Sequence, residues 1–260
     1  MKRTILMLFL IFALCYCGGG GGGNSSSSPA PAPIANESVS GIWNGTFYSE
    51  VRHKPYKICG VITENSEAFF IAIDPPDGGR CSGNLSVSGA SVSASLQSYA
   101  PKGFTFPDNS IVGTTNFNGR VIAKGELSGR YSGVGDTGTF ILSYDSIYER
   151  QSSLSAIKGN WVSGWTDVSE IRMNVAENGI ISGRTFSGCT IGGSISLIDS
   201  ASNPYRVNMV LSSCDPHWSN YNGSYTGFLY QDNIQYLGEE FIISISNPSL
   251  AIWGFIVLSG

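Results

Sequence analysis

Charge is scarce in this chain. Asp, Glu, Lys and Arg make up 13% of its 260 residues, and there are two histidines, His53 and His217. A nucleic-acid surface needs a basic stripe, and the formal net charge is −4. That balance argues against nucleic acid as a partner, and against an electrostatic hold on anionic lipid. Catalytic signatures are missing too. No Gly-x-Ser-x-Gly elbow accompanies the histidines, and no Gly-x-x-x-x-Gly-Lys run is present to cradle phosphate. No Cys-x-x-Cys pair suggests a zinc cluster, so no metal or cofactor is expected. Long helical periodicity is also absent, and the one long apolar run lies at the N-terminus.

That run reads as a leader. Lys2 and Arg3 precede an unbroken apolar stretch over 5–14, the n-region and h-region of a secretory signal peptide. It is half the length of about 20 residues that a membrane-spanning helix needs. Gly18 to Gly23, four serines and Pro29-Ala-Pro31-Ala-Pro33 follow. These stretches have no apolar periodicity to support a core, and their composition predicts a tether, coil-like and then stiffer. Its random-coil reach from Cys17 to Gly41 is roughly 25–30 Å. Residues 1–16 are expected to be the signal peptide and 17–40 the tether. Removing the two basic residues of the leader takes the balance to −6.

The junction Leu14-Cys15-Tyr16-Cys17-Gly18 resembles a bacterial lipobox, with Leu14 at −3 of a lipid-modified Cys17. Tyr16 at −1 departs from the small residue of that pattern, and Cys15 is the alternative acceptor. The resemblance implies a lipoprotein held to the membrane by its lipid anchor. Gly18, where an Asp would favour retention at the inner membrane, implies the outer membrane of a bacterial envelope, facing the periplasm or the surface.

The body is expected to be all-β. Short alternating runs recur between Gly, Asn and Asp punctuation. Leu85-Ser-Val87, Gly89-Ala90 and Val92-Ser-Ala94-Ser-Leu96 read as a hairpin with one apolar face. Residues 140–144 read as another strand, and 241–258 as a terminal hairpin. Its last strand is apolar on both faces, and an exposed edge of that kind invites aggregation, so a closed barrel that pairs both edges is predicted. Strands this short, in a chain ending Leu258-Ser259-Gly260, do not fit a membrane-embedded barrel.

Landmarks recur in order, which points to an internal repeat. Gly41-Ile-Trp43 parallels Gly159-Asn-Trp161, and Cys81-Ser-Gly-Asn-Leu-Ser parallels Cys189-Thr-Ile-Gly-Gly-Ser-Ile-Ser. Gly129-Arg-Tyr131 parallels Gly223-Ser-Tyr225, and Phe140-Ile-Leu-Ser parallels Phe241-Ile-Ile-Ser. The expectation is two tandem antiparallel small β-barrels of about eight strands each, over 41–148 and 159–260, joined by a connector at 149–158. A Gly-x-Trp opening an eight-stranded barrel resembles the calycins, the lipocalin and avidin-like group. The resemblance implies that Trp43 and Trp161 close barrel floors; Ser152 to Lys158 are expected to form one short helical turn before Gly159, which is also lipocalin-like.

Beyond the leader lie Cys59, Cys81, Cys189 and Cys214. Four cysteines allow three pairings. The simplest, one bridge within each half, is permitted in an exported protein, and each would add roughly 3 kcal/mol. Of the polar candidates, His217 near Asp215 and His53 both read as surface-loop residues. Asp74-Pro-Pro-Asp77-Gly-Gly lacks the alternating oxygen ligands of a calcium loop and reads as a proline-fixed turn. Glu239-Glu240 has no identifiable catalytic partner.

The reading is therefore of a non-catalytic binding module. Barrel mouths are common ligand sites, and Trp218, Tyr221, Tyr225 and Tyr230 are candidate contacts to a small apolar ligand, a protein or a glycan. A structural envelope protein with filled barrels is the alternative, since a barrel of this size is either just full or holds one ligand. A hydrolase ranks third.

Overall fold

A computed structural model describes residues 35–74, 77–166, 170–232 and 240–259. The leader, Cys15, Cys17 and the tether up to residue 34 lie outside them, as does Glu239. Eight strands form the first closed barrel: β1 (Gly41–Ser49), β2 (Lys54–Ile62), β3 (Glu67–Asp74), β4 (Arg80–Ser88), β5 (Ser91–Tyr99), β6 (Val112–Val121), β7 (Glu126–Gly133) and β8 (Asp136–Asp145). Eight more form the second: β9 (Gly159–Thr166), β10 (Ile171–Val175), β11 (Ile180–Thr185), β12 (Thr190–Leu197), β13 (Tyr205–Ser212), β14 (Gly223–Asp232), β15 (Glu240–Ser246) and β16 (Ala251–Ser259). Every pairing is antiparallel between neighbours, and β1·β8 and β9·β16 close the rings. The last strand is thus paired on both sides, as its two apolar faces require.

Strand alternation fills each interior. In barrel 1 the inward positions include Trp43, Phe70, Leu85, Leu96, Phe117, Phe140 and Leu142. Their rings make a continuous aromatic cluster: Phe47 lies 5.4 Å from Tyr131 and 5.5 Å from Phe140, and Phe117 lies 5.7 Å from Phe140. Glycine leaves room for these rings. A Cβ at Gly60 would stand 2.3 Å from the Phe70 ring and 2.3 Å from the Phe69 carbonyl oxygen. Barrel 2 is mainly aliphatic inside, with Ile171, Ile181, Ile191, Val207, Leu229 and Ile243 in its core.

Both tryptophans sit on the barrel floors. The Trp43 indole N–H donates to the Val39 carbonyl (3.0 Å) and Trp161 to the Ile157 carbonyl (2.8 Å), each four residues back. A 3₁₀ turn at Leu154–Ala156 precedes β9, as expected. The chain reaches barrel 1 at this closed end. Glu37 N–H donates to the Gly89 carbonyl, Gly89 N–H donates to Asn36 Oδ1, and Val39 is buried in the core. The last residues read as tether, 36–40, are therefore held against the barrel.

The barrels pack side by side. The outward faces of β2 and β3 (Cys59, Val61, Phe69, Ile71) meet those of β14 and β15 (Phe228, Tyr230, Ile242), with Ile147 and Tyr148 wedged between. These strands are buried on both faces because each face has its own cover. Elsewhere barrel 1 presents small polar residues, such as Ser86, Ser93 and Asn118, to solvent. At one end of the interface Glu67 pairs with Arg206. At the other, Arg80 donates to the Ile245 carbonyl (2.9 Å) and Tyr99 to the Asn247 carbonyl (2.8 Å). Glu67 and Arg206 open strands at the floor, while Arg80, Tyr99 and Ile245 lie toward the mouths. Both barrels therefore open on the same side, opposite the point where the chain enters.

Two expectations are corrected by this register. The bridge between Cys59 and Cys81 does not form; both thiols are free and buried. Cys59 pairs with Ile71 of β3 and Cys81 with Phe70. Consecutive residues of β3 face opposite ways, so one thiol lies between the barrels and the other inside barrel 1. The bridge Cys189–Cys214 is present. The later repeat landmarks are also out of step. Tyr131 lies on the seventh strand of its barrel and Tyr225 on the sixth; Phe140 lies on the eighth and Phe241 on the seventh. Gly-x-Tyr and Phe-Ile-x-Ser are patterns that any half-buried strand can carry.

Candidate functional site

The mouth of barrel 1 is open. The turns and loops at 50–53, 77–79, 100–111 and 134–135 surround a cavity of about 100 Å³, lined by Phe47, Tyr56, Phe70, Phe106, Phe117 and Tyr131. Deeper in the barrel only about 10 Å³ is left, among wholly apolar side chains. Gly78 crosses the opening tightly, and a Cβ there would stand 2.2 Å from Ala72 Cβ and 2.7 Å from the Tyr56 ring.

A polar rim edges this mouth. Asp77 Oδ2 accepts from Arg52 (2.7 Å) and Lys54 (2.6 Å). Asp77 Oδ1 is buried with no hydrogen-bond partner among the described residues. Burial raises the Asp77 pKa, but Lys54 and Arg52 outweigh it, and the carboxyl titrates below its ordinary value. The bond to Asp77 in turn raises Lys54. Across the mouth Tyr131 donates to Asp136 Oδ2 (3.1 Å), and burial and that carboxylate push its phenol up. Cys81 also faces this cavity, its thiol pushed up to about 12 by burial. The arrangement offers an apolar recess with one buried, unpaired carboxylate oxygen in its wall. It would suit a small ring-bearing molecule that donates a hydrogen bond.

Barrel 2 is stoppered at the same end. The 3₁₀ segment Pro216–Tyr221 lies over its mouth, with Trp218, Leu250 and Cys214 against the core. The bridge to Cys189 pins this segment to the turn between β11 and β12. Between the stopper and the 100–111 loop of barrel 1 runs a groove of about 400 Å³.

The four aromatic candidates divide accordingly. Trp218 and Tyr221 line the groove, their rings 5.6 Å apart. Tyr225 and Tyr230 are corrected: they lie five residues apart on β14, so alternation sends them to opposite faces, both sealed. Tyr225 is in the barrel 2 core and donates to the Tyr221 carbonyl (2.8 Å). Tyr230 is between the barrels, donating to Cys59 Sγ (3.5 Å). His53 and His217 are exposed, and no hydrogen bond joins His217 to Asp215 among the described residues. No group of three His, Cys, Asp or Glu among the described residues is placed to hold a metal. No helix of the described residues is long and apolar enough to cross a membrane.

The residues of the barrel 1 mouth, and Lys102 and Phe104 of the groove, were not anticipated from sequence. A signal was present in Pro101-Lys-Gly-Phe-Thr-Phe-Pro107, an aromatic stretch inside the longest loop of barrel 1. Loops of that length are commonly functional. Fold and site together define a tandem β-barrel protein with two recesses at its open end. No protein-family model, no curated protein and no solved structure matches the chain.

Proposed function

We propose that this chain is a membrane-anchored envelope lipoprotein whose first, calycin-like barrel binds a small, largely apolar ligand without chemistry. The observation that carries this reading is the contrast between the two mouths. Barrel 1 keeps an apolar recess with a buried, unpaired carboxylate oxygen in its wall, whereas the equivalent end of barrel 2 is covered by a disulfide-pinned segment. Small-molecule sites combine such apolar walls with a few placed polar groups. The Gly-x-Trp floors support the calycin comparison. The leader and Cys17 support anchoring in the outer membrane. Barrel 2 supports the structural reading for itself: its core is filled, and its outer face supports barrel 1.

Native mass spectrometry of the purified chain tests this, together with titration by 1-anilinonaphthalene-8-sulfonate as an apolar ring probe. The expected result is one bound small molecule, or one saturable probe site, abolished by Ala72→Phe, which fills the mouth. Neither a bound mass nor a saturable site in the wild type, or a site unchanged in Ala72→Phe, would overturn it.

A further inference from the structure

We propose that the groove between the barrels is a second binding site, for an oligosaccharide that carries carboxylates, such as a uronic-acid chain. This site is independent of the barrel 1 mouth. One wall is the 100–111 loop with Tyr99, Lys102 and Phe104, and the other is the stopper of barrel 2 with His217, Trp218 and Tyr221. Its volume, about 400 Å³, falls within the range of roughly 300–1,000 Å³ usual for small-ligand sites.

Three features select the ligand class. The first is charge. The chain is net acidic, yet Lys102 and His217 line the groove and no Asp or Glu does. The nearby acids Asp108 and Asp215 do not line it: Asp108 Oδ1 accepts from the Ser110 N–H (2.9 Å) and hydroxyl (2.6 Å), and the Asp215 carboxyl lies beside Gly188, where a Cβ would stand 2.6 Å from its Oδ1. The second is the state of Lys102. Its ammonium forms no ion pair among the described residues and rests 3.4 Å above the centre of the Trp218 ring. An exposed cation–π contact contributes only about 0.5–1 kcal/mol, so an arriving carboxylate can draw the ammonium off at small cost. The ring face it leaves is then free.

The third feature is shape. Trp218 and Tyr221 meet at 47° on the groove wall; the Tyr221 ring is buried in the barrel 2 core and backs the half-buried Trp218 ring, whose groove face Lys102 covers. A pyranose presents a flat C–H face to such a ring and hydroxyls at its edge. Asn220 and Ser249 lie along the groove to meet those hydroxyls. A carboxylate on the sugar then faces Lys102. The groove is lined by both barrels, so it exists only because they are packed together.

Calorimetric titration of the full chain with trigalacturonic acid tests the site, with a neutral galactose trisaccharide as control. Saturable binding of the acidic sugar is expected, at least tenfold tighter than the neutral one and weakened by salt. Lys102→Met keeps the stem over Trp218 and removes the charge. Binding in this variant should fall at least tenfold with the circular dichroism unchanged. Trp218→Ala should abolish binding, but Trp218 also packs on the barrel 2 core, so the exposed Lys102 variant carries the decision. No binding of trigalacturonic acid, equal binding of both sugars, or binding indifferent to Lys102→Met would each overturn the proposal.

Discussion

Individual residues in this protein are defined by which face of a strand they occupy. Ser244 faces barrel 1 from β15, fully buried, and its hydroxyl has no partner among the described residues. A buried unpaired hydroxyl costs about 1–3 kcal/mol, so Ser244→Ala should be neutral or stabilising by up to about 1 kcal/mol in urea denaturation. Asp77 should behave in the opposite way. Its folded pKa is depressed, so its contribution is present above the unfolded value of about 3.9 and is lost as pH falls through the folded pKa. Asp77→Asn should lower stability by up to about 1 kcal/mol at pH 7, and the difference from wild type should shrink progressively in a denaturation series carried downward from about pH 4. Burial pushes Cys59 well above its ordinary pKa and Cys81 to about 12, leaving almost no thiolate at neutral pH. Iodoacetamide should therefore spare both in the folded chain and label both after denaturation. Peptide mapping should recover Cys189 and Cys214 joined.

At the scale of elements, each barrel solves its end differently. Barrel 1 closes its floor with Trp43 and leaves its mouth to the glycine turn at 78–79. Barrel 2 closes its floor with Trp161 and covers its mouth with Pro216–Tyr221. That cover is a short 3₁₀ segment with little internal hydrogen bonding, so the bridge to Cys189 limits its freedom. Replacing both cysteines by alanine should cost roughly 3 kcal/mol for the 25-residue separation, measured by chemical denaturation. The Lys102 ammonium should then lose its fixed position over Trp218.

At the scale of the whole molecule, the interface makes one body of two barrels. The unit from Ile34 to Gly260 is continuous in its contacts, with the 3₁₀ turn Ser146–Glu149 after β8 buried inside it through Ile147 and Tyr148. Asn203 ties the two halves by donating to the carbonyls of Ile147 (3.1 Å) and Gln231 (3.0 Å). Arg80 adds a buried cation between the Phe69 and Tyr99 rings, and burial lowers its pKa to about 10. A single calorimetric transition is therefore expected for the wild type. Tyr230→Ala removes a fully buried ring from the interface at a cost of about 3–5 kcal/mol, and should split the trace into two transitions. A single transition in that variant would mean that the barrels are not coupled through this face.

The all-β class, the closure of the last strand and the short turn before Gly159 could be read from the chain, because each depends on local alternation or on a residue's own neighbours; the tryptophan floors were implied by the resemblance of the Gly-x-Trp opening to the calycins. The bridge at Cys189–Cys214 was legible as an intramodule pairing. What alternation cannot say is which of two faces meets solvent and which meets a second barrel. That choice belongs to long-range register, and it separated Cys59 from Cys81, sealed Tyr225 and Tyr230, and left Trp218 and Tyr221 beside a lysine from the other half of the chain. Sequence alone determined that two barrels form. Only tertiary packing decided that one mouth is open, the other stoppered, and that a groove lies between them, because those features arise where loops distant in sequence converge.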